Sequence, residues 1–108
     1  MDNANFQCEN DPAHKTFISA RTGKQFVEAH HLIPMEYQGD FAVSIDVPEN
    51  IISLCPNCHR AFHNSEASIQ EGLIAKFFAL RSSSLEERGI YISLDKLLEY
   101  YKTTPNNV

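Results

Sequence analysis

The chain has 108 residues, 43% of them hydrophobic, and 14 acidic against nine basic side chains give a formal net charge of −5 at pH 7. That size and apolar content suit one domain with its own core, whereas the acidic balance lacks the clustered Lys and Arg with which a free-standing nucleic-acid reader engages phosphate. No apolar run approaches the roughly 20 residues that span a bilayer, and the opening MDNANFQCEN has neither the basic start nor the apolar stretch of a secretory signal, so the expected compartment is the cytoplasm.

In chain order, the first feature is Cys8 with His14 in CENDPAHKTF. Three cysteines make a poor disulfide framework, and a cytosolic compartment would keep them reduced, so metal ligation is the better expectation. TFIS and KQFVEAHH flank ARTG, which predicts a hairpin turning at Thr22 and Gly23, with its second strand ending on the adjacent His30 and His31. Side chains alternate along an extended backbone, so these two imidazoles face opposite ways and serve different purposes. Residues 35–49, MEYQGDFAVSIDVPE, have no clean period and contain Gly39 and Pro48; a loop bordering a substrate groove is expected there. NIISL predicts a short buried strand with Asn50 just ahead of it, followed by LCPNCHRAFH.

In that last segment Cys55 and Cys58 form a C-x-x-C knuckle, whose tight turn aims two thiolates at one point. A closed tetrahedral zinc site needs two more ligands, and Cys8 with His14 completes a Cys3His set, Asp11 being the substitute if His14 does not serve. His59 and His63 lie four apart in CHRAFHNSE, which reads as a short helix, so both imidazoles project from one face a turn apart. The residue after His59 is Arg60 rather than Glu, which removes the general base of an H-E-x-x-H protease. The zinc-deaminase pattern fails as well, since Glu28 precedes the histidines and Leu54 precedes Cys55. These comparisons leave a three-histidine site, drawn from His30, His31, His59 and His63, with no carboxylate base from the helix.

Further on, Ser68 and Glu71 have capping-box spacing ahead of a helix in which Ile69, Leu73, Phe77 and Leu80 form an apolar stripe assigned to the core. A break is expected after RSSS. Ser93 then caps a second amphipathic helix, with Leu94, Leu97, Leu98 and Tyr101 packed on the domain. Tyr91 and Tyr100 are the candidates for stacking on a base, although ordinary packing is the stronger expectation. The tail TTPNNV is expected to fray. Among the basic residues Lys15, Arg21, Lys24, Arg60 and Lys76, Arg60 is favoured as a phosphate contact because it lies between His59 and His63. No recognition helix or base-reading constellation is evident, so sequence selectivity is expected in another domain or subunit.

Taken together and in this order, VEAHHLIPM, VPENIISLCPNCH with its Asn50, and the H-x-x-x-H pair resemble the HNH endonucleases, over Cys8 to His63, about half the chain. The resemblance implies an α+β fold: a ββα-metal (His-Me finger) core with a structural zinc knuckle and additional C-terminal helices. It would form a single domain over 1–108, with a catalytic core at about 8–65 and a helical extension at about 66–104, either alone or as part of a larger nuclease. It also implies roles. His30, His59 and His63 would hold a catalytic divalent metal, His31 would be the general base, and Asn50 would brace the loop that carries the base. Many relatives carry C-x-x-C at the first knuckle, where this chain has Cys8 and His14.

The implied activity is metal-dependent hydrolysis of DNA phosphodiester bonds, leaving 5′-phosphate and 3′-hydroxyl ends, as in bacterial restriction and phage-defence systems. The cofactors would be one structural Zn2+ and one catalytic Mg2+, Mn2+, Ni2+ or Zn2+. DNA would be the partner, with a homodimer or an attached DNA-recognition domain supplying double-strand cleavage or selectivity. The residue types suit the chemistry. An imidazole titrates near neutral pH at about 6.5 and can activate water, and a cation with open positions stabilises charge developing on phosphate oxygens. Two other classes compete: a non-catalytic zinc-knuckle module that binds DNA or protein, and a metallohydrolase acting on a small phosphoester.

Overall fold

Two short extended segments form the centre of the molecule, whose computed structural model describes residues 5–103. β1 (Glu28–His31) pairs antiparallel with β2 (Ile51–Leu54), His30 opposite Ile52 and His31 opposite Ile51. Ile52 and Leu54 are fully buried, as the period of two requires of one strand face. The free edge of β2 is covered by the N-terminal loop. There Glu9 N donates to Ser53 O (2.8 Å), Ser53 N donates to Glu9 Oε2 (2.7 Å) and Ser53 Oγ donates to Gln7 O (2.8 Å). This pairing satisfies the edge and brings Cys8 alongside the end of β2.

The predicted hairpin around Gly23 forms, with that glycine at φ +70° and Phe17 stacked on Phe26 at 4.8 Å. Its strands are shorter than expected. Ladder pairing is confined to Ile18 with Gln25, and the regular strand begins only at Glu28. The aperiodic segment that follows coils into 3-10 turns at Met35–Asp40 and Pro48–Asn50. Gln38 pins the stretch between them, accepting from Ile45 N (2.9 Å) and donating to Val43 O (2.8 Å).

α1 (Pro56–Asn64) starts where the zinc knuckle predicts, because Pro56 is preset for the first helical position and the Cys55 sulfur accepts from Cys58 N at 3.4 Å. With β1 and β2 it makes the ββα unit. α2 (Ala67–Glu87) differs from the sequence expectation in two ways. It begins at Ala67 with no side-chain cap, so Ser68 and Glu71 do not form the predicted capping box. It runs through Ser82, Ser83 and Ser84, and the expected break follows them. Serine costs a helix only a few tenths of a kcal/mol, and the stop comes later at Gly89 (φ +83°). There Ile90 N donates to Leu85 O and Gly89 N to Glu86 O, both at 2.9 Å, closing a Schellman cap.

The second difference is the buried face of α2. Ile74, Phe77 and Leu85 are buried, whereas Ile69 (50%) and Leu80 (63%) are exposed. The true core stripe is turned roughly a quarter turn from the predicted one, because Arg81 occupies its middle. This side chain bonds Glu9 Oε1 at 2.6 Å and the carbonyls of Pro48 and Glu49 at 3.3 Å. It thereby joins α2 to the N-terminal loop and to the turn holding Asn50.

α3 (Leu94–Thr103) is capped by Ser93 as expected, its Oγ accepting from Lys96 N at 3.1 Å. Leu97, Tyr100 and Tyr101 are buried against the remaining core, in which Phe62 and Phe77 are fully enclosed. Each such large apolar side chain contributes about 1.5 to 3 kcal/mol. The tail residues 104–108 lie outside the described part, so the expected fraying of TTPNNV does too. Among the described residues no helix is long and apolar enough to cross a membrane.

Candidate metal centre

Two donor clusters converge. In the first, one ligand atom from each of Cys8, His14, Cys55 and Cys58 lies within 4.8 Å of all the others. The N-terminal loop supplies the first pair and the β2–α1 junction the second. His14 Nδ1 faces the sulfurs of Cys58 (3.3 Å) and Cys55 (3.6 Å), while its Nε2 faces Asp11 at 3.4 Å. Asp11 therefore stands behind the imidazole and orients it; it does not replace it in the donor ring. Burial pushes the Cys58 thiol up to about 12, and the nearby Cys55 and Cys8 sulfurs act in the same direction. Burial also raises Cys8, but hydrogen bonds from the backbone of Cys55 and Asp11, the His14 side chain and the backbone of Asn10 outweigh it and bring that thiol to about 7. Three crowded soft thiols and one imidazole suit zinc, whose charge would hold all three as thiolates.

In the second cluster, donor atoms of His30, His59 and His63 also lie within 4.8 Å of one another. Glu28 and His30, two apart on β1, share the face turned to α1, where His59 and His63 project one turn apart. His59 Nδ1 contacts Glu28 Oε1 at 3.0 Å, so its proton sits on Nδ1 and its Nε2 lone pair is free to ligate. His30 is 3% exposed, and its Nε2 lies 2.8 Å from the Tyr101 hydroxyl. Burial holds its pKa well below the ordinary value, and the neighbouring His59, His63 and His31 add to this. Burial and then His59 lower His63 in the same way. Neutral imidazoles are the ligand form, so this cluster fits a divalent cation.

His31 points to the other side of β1. Its Nε2 is 2.9 Å from Asp46 Oδ1, which assigns the proton to Nε2 and leaves a lone pair on Nδ1. Asn50 is fully buried. Its Oδ1 accepts from Ile33 N at 2.8 Å, and its Nδ2 donates to Ile33 O at 3.1 Å and Ile45 O at 2.9 Å. The segment leaving His31 is thus tied to the loop that carries Asp46.

Arg60 is exposed on α1 between the two histidines of the cluster. Lys76 is engaged elsewhere, donating to Asn10 O (2.9 Å) and Asn10 Oδ1 (2.8 Å). Lys15, Arg21 and Lys24 are exposed on the hairpin and its approach. Tyr100 has the ordinary packing that is the stronger expectation for it. It is buried, lies 3.9 Å from the Tyr37 ring and donates to Asp40 at 2.6 Å, whereas Tyr91 is 69% exposed. Sequence reasoning missed Glu28, Asp46 and Tyr101 as partners of the histidines. Only Glu28 left a signal, its spacing of two from His30.

A family model described as HNH endonuclease matches residues 10–70, more than half of the chain. The chain is also similar to the type IV methyl-directed restriction enzyme EcoKMcrA of Escherichia coli (strain K12). Identity is 37% over 59 residues, a stretch covering 55% of this chain and 19% of that protein, so the chain spans about a fifth of the relative's length. No solved structure matches.

Proposed function

Because the chain belongs to the HNH endonuclease family, we propose that it is the metal-dependent catalytic domain of a DNA endonuclease of the restriction or defence type. The observation that carries this is the division of work across β1. His30 joins His59 and His63 in a three-imidazole cluster on one side, while His31 is held by a carboxylate on the other. A divalent cation held by His30, His59 and His63 would act as a Lewis acid toward phosphate oxygens, with its charge undiminished by neutral ligands.

The protein's own groups do the rest. His31 Nδ1 takes a proton from the attacking water while Asp46 holds the Nε2 proton and stabilises the imidazolium that forms. The water oxygen bonds to phosphorus, the P–O3′ bond breaks, and the 3′ oxygen leaves to be protonated by solvent, giving 5′-phosphate and 3′-hydroxyl ends. Asn50 keeps the turn after His31 at a constant spacing from Asp46's loop. Arg60, on the exposed side of α1, contacts the substrate phosphate. The Cys8, His14, Cys55 and Cys58 cluster takes a structural zinc and ties the N-terminal loop to α1. A further DNA-recognition domain or a second copy supplies selectivity and the second cut.

The test is plasmid nicking by zinc-loaded protein with magnesium, manganese, nickel or zinc added back, beside the His31→Ala variant. Metal-dependent nicking that falls by about 10²- to 10⁴-fold in the variant is expected. Undiminished nicking removes His31 as the base. A folded, zinc-loaded protein that nicks with none of these metals favours the binding-module alternative.

A further inference from the structure

A polar anchor for His30 comes from α3. Tyr101, 71 residues away on α3, places its hydroxyl 2.8 Å from His30 Nε2 and 2.7 Å from Leu32 O. A phenol has one proton, and the carbonyl can only accept it. The proton therefore goes to Leu32, and the phenol oxygen in turn accepts from His30 Nε2–H. This contact leaves His30 one tautomer and one available lone pair, at Nδ1. The phenol ring also lies against His30 and His63, with centroids at 6.1 and 6.5 Å, and against Phe62 at 6.1 Å, so it limits how the ligand rings can turn. Leu32 follows His31 directly, and Ile33 is the residue Asn50 grips. One hydroxyl thus joins α3, a ligand ring and the backbone leaving the base.

We propose that Tyr101 is a positioning residue of the metal centre, fixing the tautomer and orientation of His30 from a helix outside the 10–70 segment that defines the family match. The proposal rests on His30, His59 and His63 holding the cation. In it, the C-terminal extension is more than scaffold, because it supplies His30 with an outer hydrogen bond as Glu28 does for His59.

The experiment uses the full chain with its cysteine cluster zinc-loaded and titrates cobalt(II), read by its visible d–d absorption. Thiolate charge-transfer bands report any exchange at the cysteine cluster. Tyr101→Phe keeps the ring and removes only the hydroxyl, and it is expected to weaken cobalt binding about 10- to 100-fold. Leu98→Ala, on the same helix and partly buried, serves as the control for simple loosening of α3 and is expected to leave the affinity within about two-fold. Nitrogen-15 spectra of the metal-free protein are expected to show His30 protonated at Nε2, with the two tautomers mixed in Tyr101→Phe. Wild-type affinity in Tyr101→Phe, an equal loss in Leu98→Ala, or an Nδ1-protonated His30 overturns the proposal. A wild-type protein that takes up no cobalt, or a His30→Ala variant that takes it up equally well, instead overturns the three-histidine site beneath it.

Discussion

Replacing Asn50 by alanine should cost this domain about 3 kcal/mol, and most of that comes from what the side chain leaves behind. Three hydrogen bonds vanish at a fully buried position: Ile33 N loses its acceptor, and the carbonyls of Ile33 and Ile45 lose a donor. A typical bond contributes about 1 kcal/mol net, and an orphaned buried group costs about 1 to 3 kcal/mol. Partial relaxation and water entry keep the total toward the lower end of the sum, at about 3 kcal/mol. In urea, with m of about 1.5 kcal/mol/M, the midpoint should fall by about 2 M at fixed zinc concentration. Asn50→Asp should be no better, because a carboxylate keeps the acceptor for Ile33 N but turns oxygen toward two carbonyls. Nicking should fall in both variants even where they remain folded, since the turn after His31 is no longer tied to the loop of Asp46. A loss under about 0.5 kcal/mol together with wild-type nicking would refute the bracing role.

Cys58→Ala should lose zinc and unfold, since structural zinc contributes folding energy outright; a folded, zinc-free variant by circular dichroism and metal analysis would contradict the site. Asp46→Asn should lower nicking by about 10- to 100-fold while leaving the melting temperature nearly unchanged, as Asp46 is 60% exposed; unaltered kinetics would remove it from the base's environment. Acid should destabilise the protein lacking the second metal. His30 and His63 titrate lower when folded, so the unfolded chain binds more protons as pH falls through the ordinary histidine value of about 6.5. Stability is therefore full above that value and declines below it. Melting temperatures at pH 7.5 and 5.5 should differ, and the difference should shrink in His63→Ala; an equal slope in that variant would show the acid sensitivity lies elsewhere.

The contrast between α1 and α2 shows where sequence reading succeeds. His59 and His63 come together because four residues along a helix is one turn, and Cys55 and Cys58 because a C-x-x-C turn folds back on itself; neither depends on the rest of the chain. The α2 stripe failed because a hydrophobic period cannot register Arg81, whose charge is matched by Glu9 and which therefore sits in the middle of the buried face, turned away from the stripe expected. The break expected after RSSS falls a few residues further on, because three weakly unfavourable residues do not end a helix that is anchored by Leu85 beyond them.

The two metal-type ligand sets, the opposed pair His30 and His31, and the order strand, knuckle, helix all follow from periodicities of a few residues, which a linear chain displays directly. The contacts that tune those groups do not. Asp46 is 15 residues from His31, Asn50 17 from Ile33, and Tyr101 71 from His30. Which carboxylate, amide or phenol arrives at each ring depends on the path of the loops and on how α3 packs back against β1. Those outcomes are set by burial of Leu97 and Tyr101 and by hydrogen bonds across the core, none of which has a period to read.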